Sequence, residues 1–360
     1  MSSQPVFRRD FVGYGGRPPH PRWPGDARVA VSVVVNFEEG SEFSVADGDT
    51  ANEAIYEVVH RLEGPDPCID SHFEYGTRAA WWRIMDLFDS YGVKVTVSAC
   101  GRAVERSSDL ARDAVARGHE ISAHGWRWQS HAGMAEPEER RVIARTVETI
   151  QRVTGQPPLG WHTRSAASPN TRRLLVEQGG FLYDSDAYND DLPYYVDVAG
   201  RPHLVLPYAF DSNDMQYFNG SRFRGGDFAD YVIDAFDWLA HEGATAPKML
   251  SIGLHLRMIG RPGRIGALDR ILAHIAGSGA AWIAPRADIA RHWLATVPPV
   301  GAAPVVLIEV VGRERQLDRA AFAGGEVALV LGGVVFGLLE RPQSAVMSIA
   351  WRHGVSSRPG

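Results

Sequence analysis

Ala27-Arg28-Val29-Ala30-Val31-Ser32-Val33-Val34-Val35-Asn36-Phe37-Glu38-Glu39-Gly40 opens as a valine-rich run and ends in two adjacent carboxylates and a glycine. An apolar run of this kind reads as a strand covered on both faces. Neighbouring strand residues point to opposite faces, so a Glu38-Glu39 pair inside the strand would send at least one charge into the core. At the strand's C-terminal end the backbone turns, and both carboxylates can reach one cavity. α/β barrels and open α/β sheets place their chemistry at that end. An isolated Glu-Glu-Gly is more often an acidic solvated turn, so the rest of the chain has to decide.

Composition sets broad bounds. With 45% hydrophobic and 22% charged residues over 360 positions, the chain has the make-up of an ordinary soluble globular protein. A formal net charge of -6 gives no basic footprint for nucleic acid. Cys68 and Cys100 are the only cysteines, too few for a disulfide framework, and they read as thiols in a reducing compartment. Met1-Ser2-Ser3-Gln4-Pro5 lacks the charged-then-apolar pattern of a signal peptide, so a cytoplasmic location is expected.

Arg8 to Gly25 is dense in Gly and Pro and reads as an irregular arm. Ser41 to Pro67 reads as a long polar connection after the first strand, the place for a lid or binding loop. Helices are expected over Thr77–Ser90, Ser108–Arg117, Pro137–Val153, from Ser168-Pro169-Asn170 to Gly179, Asp227–His241, Ile265–Ile275 and Ala287–Leu294. Strands are expected over Val93–Ala99, His119–His124, Leu159–His162, His203–Tyr208, Lys248–His255 and Ala281–Ala284. This alternation predicts parallel strands with helices outside, with too few clear units for a regular eight-fold barrel. The tail after Pro298 differs. Its apolar run Val327–Leu339 falls short of the roughly 20 residues of a membrane helix, and its β-branched, glycine-rich content suits strands or a subunit contact.

Three expected strands stop on chemically capable residues, namely Glu38-Glu39, His124 and His255, and Trp161-His162-Thr163-Arg164 is a fourth such end. Each histidine alone is more often a hydrogen-bonded structural residue. Their convergence at strand ends is the mark of a site at a barrel mouth.

The motifs carry a resemblance. Asn36-Phe37-Glu38-Glu39-Gly40 resembles the T-F-D-D-G motif of the polysaccharide deacetylase family, Gly118–Trp128 its G-H-E-I-x-x-H-[ST]-x-x-H, and His255 its late histidine. The resemblance spans about Arg8 to Pro298 and implies an α/β fold, a distorted (β/α) barrel of the polysaccharide deacetylase type, over residues 1–298. Residues 299–360 are then a C-terminal extension with no assigned role. In that family the first aspartate is the base, and the second aspartate with two histidines holds a divalent metal. Here glutamates replace both aspartates, and Trp128 stands where the second metal-binding histidine belongs. Trp has no lone pair for a metal. Glu39 and His124 alone would hold an ion weakly, so no cofactor is expected, with one divalent metal such as zinc as the alternative. His131 or His162 is the only rescue in sight, and neither has an i, i+4 relation to His124.

The pattern is more similar to the family's cyclic-amide branch, the allantoinases and cyclic imide hydrolases. Phe73–Arg78, Pro169–Arg173, Tyr183–Asp186 and Leu254–Arg257 look like that branch. The implied activity is opening of a cyclic amide, allantoin to allantoate first, a cyclic imide second. A metal-dependent polysaccharide or peptidoglycan N-deacetylase and an inactive binding member are the competing readings. Ring opening needs activated water, an oxyanion donor and a proton for the departing nitrogen. The candidate catalytic residues are Glu38 as base, Glu39, His124, and His255 as acid. Arg164, Arg257 and His124 are oxyanion candidates. Trp128, Trp161 and Tyr75 are candidate walls for a flat ring, and Asp186 a polar contact. The expected partner is a small cyclic amide or imide, with no nucleic acid and no membrane. A homo-oligomer is expected, a tetramer among the candidates.

Overall fold

The computed structural model describes residues 9–53, 62–218 and 224–299, together with the backbone of 306–309, 327–331 and 334–339. The chain divides into two compact units, Met1–Val300 and Gly301–Gly360.

In the first unit β1 (Val29–Phe37) is buried along its whole length, as its valine run requires. It pairs in parallel with β8 (Lys248–His255) along one edge. Its other edge is shared, with β9 (Ala281–Ile283) on the first half and β2 (Thr96–Ala99) on the second. The sheet continues through β3 (Glu120–Ala123), β4 (Gly160–Trp161), β5 (Tyr183–Asp184) and β7 (Arg201–Val205), all parallel, to β6 (Tyr194–Val198), which runs antiparallel at the edge. The sheet curls into an incomplete barrel. The seam beside β8 is closed by single backbone links, Met249 N to Asp191 O at 2.8 Å and Gly253 N to Ser212 O at 2.9 Å, rather than by a full ladder. This is the irregular α/β barrel that the strand–helix alternation implied.

Side-chain alternation gives the sheet two different faces. Outward residues such as Phe37, Val97, Ala123 and Trp161 pack with Trp81, Ile84, Met85, Ala103, Ile143 and Leu175 of the surrounding helices in one apolar layer. Full burial of such a side chain contributes roughly 1.5–3 kcal/mol. Inward residues are of two kinds, an apolar cluster with Ala30, Tyr183, Leu204 and Met249, and small or polar groups such as Ser32, Asn36 and Ser251. Arg286, just past β9, is buried inside and donates to Ser251 Oγ (2.7 Å), Ser185 Oγ (3.1 Å), Ser32 Oγ (3.3 Å) and the carbonyl of Pro207 (3.0 Å). Four segments of the barrel are thereby tied to one guanidinium. The space is tight enough that a Cβ on Gly160 would lie 2.0 Å from the Tyr183 ring.

The N-terminal arm is irregular from residue 9 to β1 apart from a turn of 3-10 helix at Pro24–Asp26, and it is pinned to the rest of the first unit. Trp23 Nε1 donates to Lys248 O at 2.9 Å, and Trp23 packs with Trp282 and Trp293.

Several boundaries differ from expectation. The first helical run begins at Pro67, not Thr77. Asp66 caps it by accepting from Cys68 N and Ile69 N, a signal hidden in a stretch that reads as loop. A π-turn over Gly76–Ala80 joins it to the helix Trp81–Ser90. A short helix, Gly101–Arg106, follows β2 unannounced. β5 and β6 were not expected as strands, and β7 begins two residues before the expected His203 and stops at Val205. These short strands lack a periodic apolar pattern and are held by their neighbours in the sheet.

In the second unit Val306–Glu309 pairs in parallel with Val327–Leu331, which pairs antiparallel with Val334–Leu339. The apolar run thus forms two strands. Its expected packing or subunit contact lies outside the described residues. Among the described residues no helix is long and apolar enough to cross a membrane.

Candidate active site

Glu38 and Glu39 follow β1 directly, and the chain then turns through Gly40, whose φ of +87° favours glycine. The two side chains diverge. Glu38 points inward with His124, which follows β3, and His255, which ends β8. Its Oε1 lies 3.4 Å from His124 Nε2 and 3.4 Å from His255 Nε2. All three are nearly inaccessible to solvent, at 1%, 3% and 4% exposure, so their charges act with little screening.

Glu39 points the other way, against Gly76 in the π-turn. A Cβ at Gly76 would sit 2.5 Å from Glu39 Oε1. The glycine and the local π-turn, a distortion frequent at functional sites, make room for this carboxylate. Arg257 spans the pair, with Nη1 2.9 Å from Glu38 Oε2 and 3.3 Å from Glu39 Oε1. Glu39 also accepts from the backbone N–H of Glu38 (3.1 Å) and of Arg257 (3.3 Å).

Each ring has a defined partner behind it. His255 Nδ1 is 2.6 Å from Asp214 Oδ1, and Asp214 Oδ2 accepts from the His255 backbone N–H at 2.8 Å. His255 therefore lies between two carboxylates. Burial pulls its pKa down, but the charges of Glu38 and Asp214 and their hydrogen bonds outweigh that and push it up to about 9. Burial alone would raise Glu38, yet His255, Arg257 and His124 together hold it well below the ordinary carboxylate range. The resting site therefore pairs an ionised Glu38 with a protonated His255. Burial, helped by the charge of Glu38, moves Glu39 upward against the pull of Arg257.

His124 Nδ1 lies 2.7 Å from the carbonyl oxygen of His162. A carbonyl only accepts, so that nitrogen carries a proton, and Nε2 is the ring atom turned toward Glu38. The His162 ring stacks on His124, with centroids 5.2 Å apart and planes 8° from parallel. Tyr208, 4.4 Å from His162, accepts at its hydroxyl from Asn36 Nδ2 at 3.0 Å. Burial pushes the His162 pKa down, against Asp186. Glu38, His124, His162, Tyr208, His255 and Asp214 thus form one chain of buried polar contacts beside Asn36.

Other candidates lie outside that ring. Trp161 is fully buried in the outer layer, edge-on to Phe181 and His131. Arg164 pairs with Glu53 (3.1 Å), donates to the Trp128 carbonyl (2.6 Å) and stacks 3.5 Å above the Trp128 ring. It sets Trp128 and ties down Glu53. Asp186 accepts from the Thr163 N–H and hydroxyl at 2.6 and 2.7 Å, so it steadies the strand end beneath His162. Tyr75 carries Arg261 on its ring and accepts from Arg83. Glu74 and Arg78 form an exposed pair at 3.6 Å. A cleft of about 320 Å³ opens on the outer side of Glu39, lined by Glu42, Asp47, Asp70 and Arg106, and contains neither Glu38 nor the histidines. Asp214 was missed because it sits 41 residues from His255 and opens a five-residue helix, Asp214–Phe218, that no sequence pattern announces. Tyr208 was read only as the end of a strand.

The metal implied by the family can be tested on the donors. Among the described residues no cluster of three His, Cys, Asp or Glu side chains is disposed to hold an ion. Glu39 is already bound by Arg257 and two backbone N–H groups. The Trp128 ring faces the Arg257 guanidinium at 4.8 Å. Of the two proposed rescue ligands, His131 packs edge-on to Trp161 on the outer face, and His162 stacks on His124 and pairs through Nδ1 with Asp186 at 3.2 Å. These residues do not fit a divalent metal.

Residues 61–183 match the family profile described as polysaccharide deacetylase. A Schizosaccharomyces pombe protein that carries the polysaccharide deacetylase name is 37% identical over 314 residues, which is 81% of this chain and 98% of that protein. The crystal structure of a probable polysaccharide deacetylase from Pseudomonas aeruginosa PAO1 is 47% identical, with a TM-score of 0.77 over 81% of this chain and 99% of that one. The crystal structure of a PuuE allantoinase is 46% identical, with the same TM-score and coverage.

Proposed function

The chain belongs to the polysaccharide deacetylase family, whose members hydrolyse C–N bonds, and we propose that this member opens a cyclic amide by metal-independent hydrolysis, with allantoin the first substrate to try. The observation that carries this reading is the placing of Glu38 Oε1 3.4 Å from His255 Nε2, a carboxylate base against an imidazole acid, with Asp214 2.6 Å behind the acid. The 46% identity to a PuuE allantoinase supports the choice of substrate class.

In this reading a water held at Glu38 Oε1 loses a proton to Glu38 as its oxygen attacks the amide carbon. The carbonyl π electrons move to oxygen, and the buried positive charge of His255 stabilises the oxyanion. As the tetrahedral centre collapses, the C–N bond breaks, and His255 Nε2 delivers its proton to the departing nitrogen. The ring becomes a carboxylic acid and a free amide or amine nitrogen. Glu38 then passes its proton to His255, and the site is reset. His162 and Tyr208 lie beside the histidines, and the Tyr208 hydroxyl, which accepts from Asn36, keeps its own O–H to donate.

The test is a hydrolysis screen of allantoin, succinimide, glutarimide, hydantoin and an N-acetylglucosamine oligomer, run with and without chelator. Turnover of a cyclic amide that survives chelation is expected. Turnover of the acetylated oligomer alone, lost on chelation and restored by zinc, would replace this reading with that of a metal-dependent N-deacetylase.

A further inference from the structure

Two adjacent buried carboxylates require a cation, and among the described residues the one cation that touches both is Arg257. It is fully buried. It follows His255 in the short helix Leu256–Ile259, so the strand end that delivers the acid also delivers the guanidinium. Its guanidinium carbon lies 4.5 Å from the centre of the Phe73 ring and 4.8 Å from that of Trp128. Trp128 is itself held by Arg164 on its ring and on its carbonyl.

We propose that the Arg257 guanidinium is the resident cation of this site: held against Trp128 and Phe73, it neutralises the Glu38–Glu39 pair and fixes Glu38 with Oε1 turned to the histidines. Aromatic faces attract a diffuse organic cation through their quadrupole but give no lone pair to a metal. A guanidinium is weakly hydrated, stays charged when buried, and matches carboxylates with a planar fork. A divalent ion and this guanidinium would compete for the same oxygens. Trp128, Arg257 and the longer glutamate arms therefore form one unit. Arg257 acts through Glu38 and is a positioning residue. Its role in turnover rests on the hydrolytic reading above, whereas its role as resident cation does not.

The experiment has two arms. In the first, wild-type protein is incubated with zinc, desalted and assayed for metal. Substoichiometric zinc is expected, and one equivalent held per chain would overturn the proposal whatever the substrate proves to be. Arg257→Ala, taken through the same arm, is expected to retain more divalent metal than wild type, because the carboxylates are left without their cation. The second arm uses the cyclic amide turned over by wild type. Arg257→Ala is expected to lose roughly 10²–10³-fold in kcat. Guanidinium ion, well below denaturing concentration, should restore part of that loss, methylammonium less, and the acid limb of the pH profile should move up until guanidinium is added. A folded Arg257→Ala that guanidinium does not rescue, with an unmoved acid limb, would overturn the proposal. If that variant does not fold, Arg257→Lys takes its place, and a wild-type rate and acid limb in the lysine variant would show that the aromatic-held fork is not needed. No turnover of any cyclic amide by wild type would sink the hydrolytic reading and leave the metal arm standing.

Discussion

Asp214→Asn tests the ordering of the site most directly. His255 has its pKa raised from 6.5 to about 9 with Glu38 on one nitrogen and Asp214 on the other. That rise corresponds to roughly 3 kcal/mol in favour of the imidazolium. Asparagine keeps the shape of Asp214 and removes its charge. An opposite charge in contact is worth roughly 1–3 in pKa, so the alkaline limb of kcat/KM should fall from near 9 to between about 6 and 8. With a new value near 7, only about a tenth of His255 would be protonated at pH 8, and the rate there should drop about tenfold from this cause alone. Asparagine also cannot accept from both His255 Nδ1–H and His255 N–H, so one buried donor goes unsatisfied. That should cost roughly 1–3 kcal/mol of stability. The assay is a kcat/KM profile from pH 5 to about 10, read beside the NMR titration of the His255 ring. An alkaline limb identical in wild type and variant would refute the assignment of His255 as the acid held by Asp214.

Four further outcomes are expected. Glu38→Gln should lower kcat by roughly 10²–10⁴-fold with an unchanged circular dichroism spectrum, because the base is lost while an acceptor stays in place; a variant with near wild-type turnover would remove Glu38 from the chemistry. Gly76→Ala should cost roughly 1–3 kcal/mol in urea titration, because its Cβ meets a Glu39 carboxylate that Arg257 prevents from yielding. Arg286→Met should cost about 3 kcal/mol or more, since it removes hydrogen bonds to the carbonyls of Leu206 and Pro207 and to three serine hydroxyls inside the barrel; a smaller shift in the urea midpoint would show that water replaces it. The His255 ion pairs contribute fully below pH 6.5 and are lost as pH rises through about 9, so wild-type stability should fall over that window more steeply than that of His255→Asn.

The sequence by itself determined the pieces that local chemistry fixes. A nine-residue apolar strand cannot lie anywhere but the centre of a sheet, and β1 is buried from Val29 to Phe37. Charges cannot be spent inside such a strand, so Glu38 and Glu39 had to fall at its end. The same logic placed His124 and His255 at their strand ends, and β8 runs over the residues its pattern marks, Lys248–His255. Strand–helix alternation carried the irregular parallel barrel. The short strands β5 and β6 were not legible, because two to five residues without apolar alternation take their conformation from neighbours distant in sequence. Partner choice was equally hidden. Trp161 and Trp128 look alike in sequence, but the pleat turns Trp161 outward against Phe181, while Trp128 lies over Arg257. Arg164 and Arg257 look alike too, but only the second is carried by β8 to both carboxylates. Asp214 reaches His255 across a bridge between Asn213 and Gly253. Such pairings depend on which strand ends meet around the barrel, and distance along the chain carries no record of it.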